Sequence, residues 1–154
     1  MLDTVMFGRL RSSLRHPFYP ELPATPALTA TGRHTVLAGT FKELEQAAMR
    51  GAAASHAIFV LQSEHTPPAT VRQRNRLWEW FQVPVYVMVL DAGGRPAAYE
   101  CEAQEGLHVA LQTPAAGLDT GLCPCGRPGP RLGVAVKRRP QSARRRPRAH
   151  SLSA

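Results

Sequence analysis

All three cysteines of this 154-residue chain, Cys101, Cys123 and Cys125, lie within one stretch of 25 residues, and one histidine lies among them. Six residues separate Cys101 from His108 in "YECEAQEGLHV", and fourteen more lead to "CPCGRPGPRL". Three thiolates and one imidazole are a standard donor set for a closed, tetrahedral structural zinc site. Zinc accepts the four ligands in any order, provided that they converge. A hairpin bearing Cys101 and His108, facing a loop bearing Cys123 and Cys125, would achieve that. Cys-x-Cys is tighter than the usual Cys-x2-Cys knuckle. The bland alternative is two exposed thiols in a Pro/Gly loop, a buried strand cysteine and an incidental histidine. A Cys101–His108 thiolate pair for nucleophilic catalysis is a further option, but a metal-bound thiolate already accounts for both residues.

Other residue types offer less. Glu100, Glu102 and Glu105 resemble the start of a carboxylate site, yet no lysine follows at a useful distance. Strand alternation would put Glu100 and Glu102 on one face, opposite Cys101, which reads best as the solvated side of an edge hairpin. Ser63, His65 and Asp91 can be assembled into a triad on paper, but no Gly-x-Ser-x-Gly elbow supports them. Trp78 and Trp80 flank an arginine-bearing segment, and on a helix they point about 200° apart. Trp78 is therefore expected in the core, and Trp80 partly exposed at a partner surface.

These side chains need elements to position them. Residues 1–33 are rich in Pro and Thr, without clear periodicity, and read as an irregular arm with room for a short early helix. "HTVLAG", from His34, is a short strand or the approach to a helix. Thr40 and Glu43 then form a capping-box pattern, with Phe41, Leu44, Ala48 and Gly51 at helical spacing behind it. "HAIFVLQ" (56–62) is a buried strand. Thr66 as N-cap and Pro67 at the first position start a second helix, with Val71, Leu77, Trp78 and Phe81 as its apolar stripe. "VPVYVMVLD" (83–91) is almost continuously apolar, as in a strand covered on both faces within a parallel sheet. "AGGR" turns the chain, "PAAYECEA" returns antiparallel, and "LHVAL" adds an edge strand. Helix, strand, helix, strand, strand is a small α/β domain, over 34–131, with a disordered basic tail over 132–154.

The net charge of +8 belongs largely to that tail. "KRRPQSARRRPR" (137–148) holds seven of the nineteen Lys and Arg and no acid, which leaves the rest of the chain at +1. Such a tail would bind nucleic acid without sequence preference, if it binds it at all. No run approaches the ~18 apolar residues of a membrane span, and the N-terminal stretch has no signal-peptide apolar region. A cytoplasmic protein with reduced or metal-bound thiols is the expectation.

"FQVPVYVMVLDAGGRPAAYECEAQEGLHV" followed by "CPCGRPGPRL" resembles the middle of phenylacetate–CoA ligase-like enzymes of the adenylate-forming superfamily. The resemblance extends back to about residue 57, through "IFVLQSEHTPPATVRQRNRLWEWF", and covers about half of the chain. In that family a Phe-Gly-Val-Pro-Val-Tyr-like phrase leads into a strand, and a Glu-Cys-Glu-like strand, Gly-Leu-His-Val and a Cys-x-Cys-Gly-Arg loop follow. Some members hold a structural zinc with the matching residues, here Cys101, His108, Cys123 and Cys125. The resemblance thus implies zinc as cofactor.

The same comparison exposes what is missing. Adenylation requires ATP to be held and the charge developing on its phosphate to be neutralised, usually with magnesium. In place of the family's Tyr-Gly-x-Thr-Glu stands Tyr86-Val-Met-Val-Leu-Asp-Ala-Gly-Gly, without the Thr and Glu that serve nucleotide and metal. There is no phosphate loop, no Arg-Tyr-x-Thr-Gly-Asp-like ribose-binding stretch, and only an arginine tail where the small lid domain would follow. The reading is a non-catalytic, zinc-stabilised binding or regulatory module, a pseudoenzyme whose expected partner is another protein such as an acyl-activating enzyme. The rivals are a residual acyl- or nucleotide-handling component that acts with a partner, nucleic-acid binding through the tail, a fragment or frame-shifted piece of a longer gene, and a coincidental short motif.

Overall fold

A computed structural model describes residues 15–16, 19–63, 66–109, 118–127 and 129–132. Its main sheet has seven strands in sequence order: β3 (Thr25–Pro26), β4 (Arg33–Gly39), β5 (Ala53–Gln62), β6 (Val85–Leu90), β7 (Pro96–Tyr99), β8 (Leu107–Val109) and β9 (Arg131–Leu132). β3 to β6 run parallel, and every pairing from β6 to β9 is antiparallel. Helix α1 (Phe41–Met49) connects β4 to β5, and α2 (Val71–Phe81) connects β5 to β6. Two further strands, β1 (Arg15–His16) and β2 (Tyr19–Pro23), form an antiparallel pair of their own. The fold is α/β, as expected. No helix among the described residues is long and apolar enough to cross a membrane.

Strand alternation divides the core in two. Leu37, Ile58, Val60 and Val85 meet Leu44 and Ala47 of α1 and Leu77 and Phe81 of α2. On the opposite face Val36, Phe59, Tyr86, Met88 and Tyr99 form a second buried cluster, joined by Leu22 and Ala24. Both faces of β6 are thereby covered, which explains its unbroken apolar run.

The N-terminal stretch departs from its expected irregularity. Its described part supplies β1 to β3 and a 3-10 turn at Ala27–Thr29. His16 is fully buried, its ring 5.1 Å from those of Phe59 and Tyr99, and Nε2 is 2.8 Å from the Glu100 carbonyl. Proline and threonine fit short edge and surface strands as well as loops, so composition hid these pairings. Residues 1–14 and the basic tail from 133 onward, with their expected helix and disorder, lie outside the described residues.

The first helix begins as expected: Thr40 Oγ1 accepts from the Glu43 amide, and Glu43 Oε2 accepts from the Thr40 amide. The second does not. Its cap is Thr70, in a reciprocal box with Gln73, and Thr66 instead bonds Ser63. Pro68 disfavours the helical conformation at Pro67, which moves the start beyond the proline pair. Trp78 is 54% exposed, against the expectation of a core position, and Val71 is 75% exposed. Leu77 and Phe81 carry the buried stripe, and Arg74 is aimed toward the sheet.

Candidate metal centre

The site grows out of the antiparallel half of the sheet. β7 and β8 place Tyr99 opposite His108, and their rings stack with centroids 6.1 Å apart. Between them the chain turns over Cys101–Gln104, closed by a 3.0 Å bond from the Gln104 amide to the Cys101 carbonyl. A second turn, Cys123–Gly126, closes in the same way at 2.9 Å. Gly126 ends it at φ 75°, a conformation that glycine adopts at little cost. β9 then pairs His108 with Arg131, so β8 is an inner strand and not the expected edge.

The two turns bring all four candidate ligands together. One donor atom from each of Cys101, His108, Cys123 and Cys125 lies within 4.8 Å of the others. Cys101 Sγ and Cys123 Sγ are 3.6 Å apart, and Cys125 Sγ is 3.6 Å from His108 Nε2. A tetrahedron with Zn–S near 2.3 Å and Zn–N near 2.0–2.1 Å has edges of about 3.8 Å between sulfurs and about 3.6 Å from sulfur to nitrogen. These residues fit a tetrahedral zinc ion. A disulfide, by contrast, requires sulfurs about 2.05 Å apart, and all three cysteines are free thiols.

The surroundings act differently on the thiols of Cys101 and Cys123. The Arg127 amide donates to Cys125 Sγ at 3.4 Å, and backbone hydrogen bonds from Ala103 and Cys125 serve Cys101 and Cys123. Burial pushes the Cys101 thiol up to about 12 against the Ala103 hydrogen bond, with Cys123 and Cys125 adding to the rise. Burial opposes ionisation of Cys123 too, but the Cys125 amide, both neighbouring sulfurs and Arg131 outweigh it and hold that thiol below its ordinary range. Burial, then Arg131 and Arg127, lowers His108, which favours the neutral imidazole a metal needs. Three thiolates on a divalent cation leave a net charge of −1, beside which Arg127 and the buried Arg131 are well placed. Arg131 is fixed by Asp119 at 2.8 Å and by the Glu105 carbonyl at 3.1 Å.

Glu100 corrects the expected solvated face. It is 7% exposed and receives a bidentate ion pair from Arg74. β7 ends at Tyr99, so strand alternation stops before Glu100 and no longer predicts its direction. Glu102 and Glu105 are exposed as expected, with Glu102 paired to Arg127. The triad imagined from Ser63, His65 and Asp91 gains no support: Ser63 bonds Thr66, and Asp91 caps its own turn through the Gly93 and Arg95 amides. His65 lies outside the described residues. Sequence reasoning missed His16, Arg74 and Arg131 around the site. Only Arg131, next to the Cys-x-Cys loop, stood close enough in sequence to be suspected.

No protein-family model matches the chain, and no match is found among curated proteins.

Proposed function

We propose that this chain is a non-catalytic binding or regulatory module whose α/β domain is clipped by one structural zinc ion. The observation that carries this reading is the convergence of Cys101, His108, Cys123 and Cys125 within 4.8 Å. Four protein ligands fill a tetrahedral shell, which leaves no open position for substrate or an activated water. Zinc bound there would supply folding free energy, and the chain's own residues supply its thiolates, imidazole and compensating arginines.

The likeness to phenylacetate–CoA ligase-like enzymes extends the proposal. The module is a relative of that core whose nucleotide motif has been replaced, and its partner is a protein, with an acyl-activating enzyme as the first to test. Support comes from β6: Val89 and Leu90, half-buried and buried in the sheet, stand where the family's motif would offer polar groups to nucleotide and magnesium. The test is pyrophosphate release from ATP by the purified zinc-loaded chain, with a panel of aryl and acyl acids. The expected result is background release with every acid. Turnover that is lost on mutation of this chain would overturn the non-catalytic reading.

A further inference from the structure

Each half of the metal site is carried by a turn, but the two turns are anchored differently. The Cys123–Gly126 turn follows Leu122, which is 90% exposed. The Cys101–Gln104 turn is tied at both ends to one stretch of the central strand β6. At its leading edge, the Glu100 amide donates to the Val87 carbonyl at 2.9 Å, and Glu100 Oε2 accepts from the Val87 amide at 2.8 Å. At its trailing edge, Gln104 Nε2 donates to the Val85 carbonyl at 3.0 Å. That carbonyl also accepts from Arg74, whose guanidinium holds both Glu100 oxygens at 2.7 and 3.0 Å.

This arrangement solves a specific problem. A chain that leaves a sheet beside a buried strand strands that strand's amide without an acceptor, at a cost of about 1–3 kcal/mol. Here a carboxylate oxygen takes the place of the main-chain carbonyl on the Val87 amide. The Glu100 carbonyl, turned away from β6, is bonded by His16 instead. The backbone is thus free to turn outward at the residue immediately before Cys101, in a fixed direction.

Resting on the zinc reading above, we infer that Glu100 is a positioning residue of the metal centre, assisted by Arg74 and Gln104. It fixes Cys101 against β6 and α2 before metal arrives, and the Cys123–Cys125 turn closes onto that prepared half. Outer groups that orient metal ligands typically change affinity by about 10–100-fold when removed.

The experiment uses the full chain and its Glu100→Gln, Gln104→Ala and Glu45→Gln variants. Glu45 pairs with Arg76 on the helical layer and serves as the control. Zinc affinity is read by competition with a chromophoric chelator, and ligand geometry by the visible spectrum of the cobalt(II)-substituted protein. Glu100→Gln and Gln104→Ala are expected to bind zinc roughly 10–100-fold more weakly, with altered cobalt spectra, while Glu45→Gln matches the parent. Should Glu100→Gln fail to fold even in excess zinc, Gln104→Ala decides, since it removes an exposed amide and no buried charge. Parental affinity and spectrum in the folded variants would overturn the inference and leave the zinc reading intact. A parent chain that binds no zinc would overturn the zinc reading itself.

Discussion

Cys101 and Cys123 show at single-residue scale why the cluster calls for a cation. Burial and neighbouring sulfurs keep the Cys101 proton on, while amide and arginine contacts favour ionised Cys123. A divalent ion removes that conflict, because a coordinated thiol is deprotonated outright. His16 poses a separate test on the same side of the sheet. Burial lowers its pKa to about 4, against the opposing effect of the Glu100 carbonyl. A folded value below the unfolded one means that neutral His16 favours the fold above pH ~6.5, and that this contribution is lost as pH falls toward 4. Between pH 7 and pH 5 the parent should lose about 2 kcal/mol more stability than His16→Gln, measured by urea unfolding with zinc present. Equal losses in the two proteins would contradict the burial of His16.

Helix starts provide the test at the scale of elements. Thr70→Ala should destabilise the protein by about 1 kcal/mol, because it removes the acceptor for the Gln73 amide. Thr66→Ala should stay within about 0.5 kcal/mol, as surface changes usually do. Thermal or urea unfolding of the two variants distinguishes this arrangement from a helix that begins at Pro67. The contrast also shows what was legible in the sequence. α1, β5 and β6 could be read because capping and apolar runs are local signals. The convergence of Cys101, His108, Cys123 and Cys125 was legible because metal chemistry restricts residue types more than it restricts spacing. The start of α2 was obscured by Thr66-Pro67, a good local signal that the next proline cancels. Glu100 and His16 were not legible at all, since their partners, Arg74 and the Glu100 carbonyl, are 26 and 84 residues away.

Across the whole molecule, the cluster sits in the antiparallel half of the sheet, where strands are short. β8 has three residues and β9 two, so the ladder alone holds little there. A clip joining residues 101 and 108 to 123 and 125 would hold β9 against β8 and close the described core. Structural zinc contributes about 10–16 kcal/mol in isolated finger peptides, comparable to the whole stability of a typical domain, about 5–15 kcal/mol. Chelation should therefore abolish the cooperative thermal transition or shift it sharply downward, and added zinc should restore it. An unchanged transition in excess chelator would show that the sheet stands without the clip. The most direct measurement is the metal content of the purified chain beside its Cys123→Ser and Cys125→Ser variants. The account predicts one zinc per chain in the parent and its loss from both variants. A folded parent without zinc, or variants that retain it fully, would contradict the account.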